Sequence, residues 1–205
     1  GGGFHRYATD DDWTVPHFEK MLYDNAELPR AYLAGYQLTG DERYATVARE
    51  TLAFVERELT HDEGGFFSTL DAQSEDDTGT RTEGAFYVWT PAQVHDAVAD
   101  EQAAELFCDR YGVTERGNFE GKTVLTLARS IEALAAEYEL DEETVREHLG
   151  SALDQVRAAR TTRPRPPRDE KVLAGWNGLM ISAFAEAALV LDESFADTAS
   201  EAVDF

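Results

Sequence analysis

Three lysines, two methionines and a single cysteine are all that this 205-residue chain holds of those types, and each scarcity excludes something. Cys108 alone rules out an intrachain disulfide or a CxxC redox pair within these residues. No apolar run approaches the roughly 20 residues that a membrane helix needs, so no membrane partner is expected. HExxH, CxxC and GxSxG do not occur, which leaves zinc, redox and serine-hydrolase chemistry without support; no metal and no cofactor is implied. "NFEGKT" lacks the framework of a phosphate loop, and Gly121 with Asn118 reads as turn chemistry. "DAQSEDDTG" is acidic but has no glycine at the sixth position of a calcium loop, so it reads as a solvated loop.

What is abundant is negative charge. There are 41 acidic residues against 18 basic ones, a net charge of -23, spread along the chain rather than gathered in a tail. Apolar content of 42% is enough for a core and argues against disorder. An evenly acidic, lysine-poor globular chain suits a salt-rich cytoplasm, where the Debye length falls to about 3 Å near 1 M salt and self-repulsion is screened. The expectation is a halophilic, cytoplasmic protein with no nucleic-acid partner, since like charges repel. The chain opens "GGGFHRY" without a methionine and stops at "SEAVDF", so a piece of a longer protein is expected.

An internal repeat organises the ends. Shifting by 151 residues lays 19–54 on 170–205 without a gap, and Glu19, Lys20, Leu22, Leu38, Glu50 and Phe54 are among the residues that meet an identical one. Each copy has a polar, lysine-bearing lead-in, a first helix rich in Leu, Ala and aromatics, a turn at "GDE" or "LDE", and a second helix with Ala at i, i+3 spacing. That is an αα-hairpin whose small residues permit close packing, with second helices at 39–59 and 192–205. Between the copies, 64–90 carries two short aromatic, β-prone runs, around Phe66–Leu70 and Phe86–Trp89, and reads as a small β excursion. Thr90 and Pro91 then start a helix, and further helices are expected near 101–111, 130–139 and 141–160, the last stopped by "RPRPP". Pro16 reads as the start of a helix through "PHFEKMLYDN".

The motifs "GGGFHRYATDDDWTVPHFEKMLYDNA", "GGFFSTLDAQSE", "EGAFYVWT", "GNFEGKTVL" and "DEKVLAGWNGLMI" follow one another over residues 1 to about 190. Together they resemble the thioredoxin-domain protein family that includes spermatogenesis-associated protein 20. The resemblance implies an all-α fold: part of an (α/α)6 toroid of helical hairpins with a small β-hairpin insertion, akin to N-acylglucosamine 2-epimerase and the six-hairpin glycosidases. It also implies that 1–205 is a single segment of that toroid, without the family's thioredoxin-like domain and remaining helices, and that this domain is a partner in the same parent chain. The sequence departs from the family pattern at Gln73, where an aspartate of "DADSE" is usual.

In a toroid the first helices surround a funnel and their N-terminal ends form its mouth. Read as helical, His17, Lys20 or Met21 and Asp24 share one face there, with Glu19 and Tyr23 on a neighbouring one. The candidate catalytic residues are therefore His17, Glu19, Lys20, Asp24 and Lys171; the candidate substrate-binding residues are His5, Arg6, Trp13, Asp71, Glu75, Trp176 and Asn177. Imidazole suits removal of a proton beside a carbonyl at neutral pH, lysines can steady the resulting anion, and Trp176 can stack on a sugar ring. Epimerase or isomerase chemistry on a sugar-like small molecule is one reading. Glycoside hydrolysis by a carboxylate pair drawn from Glu19, Asp71, Glu75 and Glu83 is another. The alternative to both is a non-catalytic scaffold or ligand-binding module serving the thioredoxin-like domain, with Lys20 and Lys171 as clamps between repeats, Lys20 pairing with Asp24.

Overall fold

The structure, a computed structural model, describes residues 2–205. In chain order its elements are β1 (Lys20–Met21), α1 (Leu22–Thr39), α2 (Glu42–Glu58), β2 (Thr69–Leu70), β3 (Gln73–Glu75), β4 (Arg81–Glu83), α3 (Pro91–Ala97), α4 (Glu101–Tyr111), α5 (Ile131–Tyr138), α6 (Glu142–Thr161), β5 (Arg168–Asp169), α7 (Ala174–Val190) and α8 (Phe195–Asp204). The chain is mostly helical with small antiparallel sheets. No helix among the described residues is long and apolar enough to cross a membrane. Two compact units emerge: unit 1 takes the residues up to Tyr7, His17–Ala72 and Pro166–Phe205, and unit 2 takes Ala8–Pro16 and Gln73–Arg165.

Unit 1 contains both hairpins. α1 packs on α2, α7 on α8, and α1 on α7. Leu22, Leu33, Leu52, Val55, Phe66, Met180 and Phe184 fill the space between them. A three-stranded sheet in the order β1, β2, β5 joins the lead-ins of the two hairpins through the central β2, with Lys20 opposite Leu70 and Leu70 opposite Arg168.

A second repeat, with a shift of 62 residues, becomes visible in this unit: "GGF" at Gly2–Phe4 and again at Gly64–Phe66. Asn25 on α1 accepts from the Phe4 N–H (2.6 Å) and donates to the Phe4 carbonyl (3.1 Å) and to the carbonyl of Met21 (2.8 Å). Asn177 on α7 does the same for Phe66 (2.8 and 3.0 Å) and for Leu173 (3.1 Å). Gly2 and Gly64 sit at φ +79° and +111°, against the middle of α2 and the last turn of α8 respectively. A side-chain carbon would fall 2.1 Å from the Glu50 carbonyl oxygen at Gly2 and 2.5 Å from that of Glu201 at Gly64, so only glycine fits. Gly3 and Gly65 face the rings of Phe54 and Phe205 in the same way. At about 1 kcal/mol per net hydrogen bond, each three-bond latch contributes about 3 kcal/mol to holding loop on hairpin.

Unit 2 packs α4 and α6 together with α3 and α5 around Trp89, Val94, Leu106, Phe107, Leu134, Val145 and Leu149. Its helices start where their caps predict: Thr90 with Gln93 forms a capping box, and Asp100, Ser130 and Asp141 each accept a first-turn N–H. β3 and β4 form a hairpin whose turn closes on Asp76, which accepts from the Thr78 hydroxyl and from the N–H groups of Thr78 and Thr80 and is held down at a pKa of about 2 by those bonds. Burial pushes the Cys108 thiol up to about 11, leaving it inert at neutral pH.

Two sequence expectations are corrected. "PHFEKM" is not the start of a helix: α1 begins at Leu22, and the preceding residues run extended because their backbone groups pair laterally. The His17 N–H donates to Tyr7, Arg6 donates to Glu19, and Leu22 donates to Ser68. A proline that can open a helix can equally lead into a strand, and here the cross-chain pairs win. The helical face expected to carry His17, Lys20 and Asp24 is therefore absent. Likewise Phe86–Trp89 is mostly turn, joined to Thr123 by one bridge at Trp89. Its carbonyls are taken by a side chain instead: the Arg163 guanidinium donates to Ala85, Phe86 and Val88 (3.4, 3.2 and 2.8 Å) and lies 3.7 Å from the centroid of Trp89.

Arg163 is the pin of unit 2, and its burial pulls its pKa down to about 10, still charged at neutral pH. Replacing it with methionine keeps the stem but strands three carbonyls. Arg163→Met is expected to destabilise unit 2 by about 3 kcal/mol. Hydrogen exchange should localise the loss to the turn at 84–89 and the start of α3, with the amides of α1 and α7 unaffected.

Candidate functional site

The lead-in strand of the first hairpin gathers a cluster of polar and aromatic groups. Pairing of residues 6 and 7 with 17 and 19 lays the strap after Phe4 alongside this strand, so their side chains meet. Arg6 Nη1 lies 3.1 Å from Glu19 Oε2, and Arg6 Nε donates to the Tyr23 hydroxyl at 3.2 Å. Glu19 Oε2 is in turn 3.5 Å from His17 Nδ1, an ion-pair distance but too long for a good hydrogen bond. Tyr7 stacks on His17 with ring centroids 5.0 Å apart, and Tyr23 meets Trp176 edge-on at 4.9 Å. Hydrogen bonding to Tyr23 raises the pKa of Arg6 further above its ordinary value, so it is always charged.

Two atoms of this cluster lack partners. His17 Nδ1 and Asp24 Oδ2 are both buried and find no hydrogen-bond partner among the described residues. Burial raises the pKa of Asp24 above its ordinary value, opposed in part by the charge of Arg6. A carboxyl group shielded from water with one oxygen unpaired favours the protonated, hydrogen-bond-donating form.

The other sequence candidates lie as follows. His5 Nδ1 is 2.9 Å from the carbonyl of Phe18, its ring edge-on to that phenyl. Lys20 is buried in β1; its ammonium donates to the carbonyls of Gly2 and Gly3 at 2.8 Å each and sits 4.7 Å from the centroid of Phe54. Lys171, its sequence equivalent, is exposed and pairs with Asp169 at 2.9 Å. Asp71 follows β2, its N–H donating to Pro167. Asn177 is engaged by Phe66 and Leu173. Glu75 and Trp13 belong to unit 2. Glu75 is exposed on β3 opposite Arg81, and Trp13, 85% exposed at φ +56°, tops a turn whose Asp10 accepts from Thr14 and Val15.

Thus Arg6, His17, Glu19, Asp24 and Trp176 come together through shared neighbours. Tyr7 and Tyr23 join them and were not among the sequence candidates. The i, i+2 spacing of His17 and Glu19 is strand-like, which a helical reading hides, and Tyr7 joins them through a backbone pairing across ten residues. No group of three or more His, Cys, Asp or Glu side chains among the described residues could hold a metal ion.

No family model matches the chain. It is 45% identical over 212 residues to spermatogenesis-associated protein 20 of Homo sapiens, covering 94% of this chain and 27% of that protein. The protein of the same name from Mus musculus is 41% identical over 223 residues, covering 98% and 28%. An uncharacterized protein of Caenorhabditis elegans is 29% identical over 225 residues, covering 100% and 31%. The chain therefore spans about a quarter to a third of the length of the curated relatives it matches.

Because Asp24 titrates higher folded than unfolded, the native state holds the extra proton. Its contribution to stability is full below the ordinary value of 3.8 and is lost as pH rises through the folded value. Asp24→Asn imitates the protonated form. Denaturation measured across pH is expected to show the variant more stable than the wild type at neutral pH, the gap closing as pH falls through the folded value and gone below the ordinary value of 3.8. A variant less stable at neutral pH would mean that Asp24 is charged and paired.

Proposed function

We propose that the cluster of Arg6, His17, Glu19 and Asp24 is an acid–base site for a sugar-like substrate, set at the mouth of a segment of an (α/α)6 toroid. The observation that carries this reading is the pair of buried atoms without a hydrogen-bond partner: Asp24 Oδ2, near the Arg6 guanidinium, and His17 Nδ1, which has only Glu19 at 3.5 Å. Buried polar atoms are normally paired, so two exceptions in one cluster point to groups kept for a ligand or a proton. Tyr7 and Trp176 offer the apolar ring faces that a sugar can stack on, and neither is fully buried.

The roles follow from the contacts. Glu19, fixed by Arg6, faces Nδ1 of His17, which leaves Nε2 to take a proton from a carbon beside a carbonyl. Asp24, whose pKa burial raises above its ordinary value, would in its protonated form donate to the oxygen on which negative charge develops. Returning a proton to the opposite face of the same carbon completes an epimerisation, and returning it to the neighbouring carbon completes an isomerisation. The even acidity of the chain fits a salt-rich cytoplasm, and in the parent protein a thioredoxin-like domain would be the neighbour. A scaffold without catalysis is the second reading, favoured by Lys20, which is spent on the carbonyls of Gly2 and Gly3.

The test is made on the full-length protein in high salt, incubated in deuterated water with free and disaccharide sugars. Loss of a C2 proton signal is expected, slowed about 10²- to 10⁴-fold in His17→Ala. New reducing-end signals without deuterium uptake would instead indicate hydrolysis by Glu19 and Asp24. Silence across the panel would favour the scaffold.

A further inference from the structure

The two hairpins of unit 1 provide an internal comparison. What both copies carry is what the hairpin needs in order to fold; what one copy alone carries is free for another use. Both carry the glycine pair, the phenylalanine and the asparagine latch. The first adds Arg6, Tyr7, Tyr23 and Asp24, and has His17 and Glu19 where the second has the exposed pair of Arg168 and Glu170. Counting along the two shifts, Arg6 and Tyr7 correspond to Ser68 and Thr69, and Tyr23 and Asp24 to Ala174 and Gly175. The same latch therefore serves two different loads.

Asn25 grips both sides of one peptide unit, the N–H and the carbonyl of Phe4, and ties it directly to α1. Arg6 and Tyr7 lie two and three residues further on, within about 10 Å of extended chain. Over so short a span a displacement at Phe4 reaches them undiminished. Lys20 anchors the strap on the other side of Phe4 through Gly2 and Gly3. In the second copy the residues after Phe66 feed the central strand β2, where they pair on both sides.

We propose that Asn25 is a positioning residue of the acid–base site: by fixing Phe4 it sets the strap so that Arg6 meets Glu19 and Tyr23 while Tyr7 stacks on His17. This rests on the reading of that cluster as an acid–base site. Asn177 is the matched latch without that duty.

The experiment compares Asn25→Ala with Asn177→Ala in the full-length protein, with histidine labelled for NMR. Each variant loses the same three hydrogen bonds, so both should melt earlier than the wild type. Only Asn25→Ala is expected to move the His17 ring resonances, because only there does the Tyr7 ring current leave them. In the deuterium-exchange assay the same variant should lose about 100-fold in kcat with KM changed less, the cost of misplacing aligned groups by about 1 Å. Lys20→Met releases the other anchor of the strap and is expected to move the same resonances, which decides the matter should Asn25→Ala not fold. His17 resonances that stay in place in Asn25→Ala, or in Lys20→Met where that variant decides, would overturn the proposal. So would an equal shift in Asn177→Ala, which would signal general loosening. The His17 signal needs no substrate, so it tests positioning even where the sugar panel is silent and the acid–base reading fails.

Discussion

A peptide group taken out of water must have both its N–H and its carbonyl paired, and at Phe4 and Phe66 a single asparagine does both. The carboxamide is the one uncharged side-chain group of this size with an acceptor and two donors on one plane. It answers a neighbouring peptide and still spares a donor for the carbonyl four residues back on its own helix. Neither α1 nor α7 has a side-chain cap, whereas α2 to α6 all do. The first helices begin straight out of extended chain, and the asparagine latch supplies the tie that a cap supplies elsewhere. The glycine pair is the other half of the same constraint, since the loop can reach the asparagine only by passing against the backbone of α2 or α8.

That constraint explains the order of the chain. In the first copy the strap runs to Tyr7, the chain leaves for Ala8–Pro16, and it returns at His17 to lead into α1. In the second copy the strap runs to Ala72, the chain leaves for Gln73–Arg165, and it returns at Pro166 to lead into α7. The departures occur at corresponding points, after the latch is made and before the hairpin starts. They add length where loop closure costs little, because the ends are already held together by the lead-in sheet. Unit 2 is built from both departures, and its helices start from ordinary side-chain caps.

The sequence was informative where the physics is local. Thr90 and Pro91 marked the start of α3, helices were expected near the positions of α4 to α6, and the 151-residue shift marked both hairpins, because caps and helical periodicity are carried by a few adjacent side chains. It misled where pairing is distant. Nothing in "PHFEKM" says whether Tyr7 and Ser68 will offer partners, and without them Pro16 looks like a helix start. The "GGF" repeat is three residues long, too short to notice until the two asparagines are seen to grip it. The lysines were the reverse case: Lys20 and Lys171 align in sequence yet do different things, one buried on glycine carbonyls, the other exposed beside Asp169. Of the site, His17, Glu19, Asp24, Arg6 and Trp176 were visible as residue types, but their company with Tyr7 and Tyr23 depended on a strand that had been read as helix.

Net charge sharpens the case of Asp24. In a chain with 41 acidic residues most carboxylates gain from water and counterions, and losing that hydration is costly. The cheap solution is to leave acids on the surface, and the pairs of Arg43 with Asp41 and Arg168 with Glu170 are of that exposed kind. Asp24 does the opposite: one oxygen is buried and unpaired beside an arginine already engaged with Glu19 and Tyr23. A hairpin does not require it, because the corresponding residue of the second copy is Gly175. An interaction that the fold does not need, kept at a cost in solvation, is what separates the first lead-in from the second and makes it the place to look for chemistry.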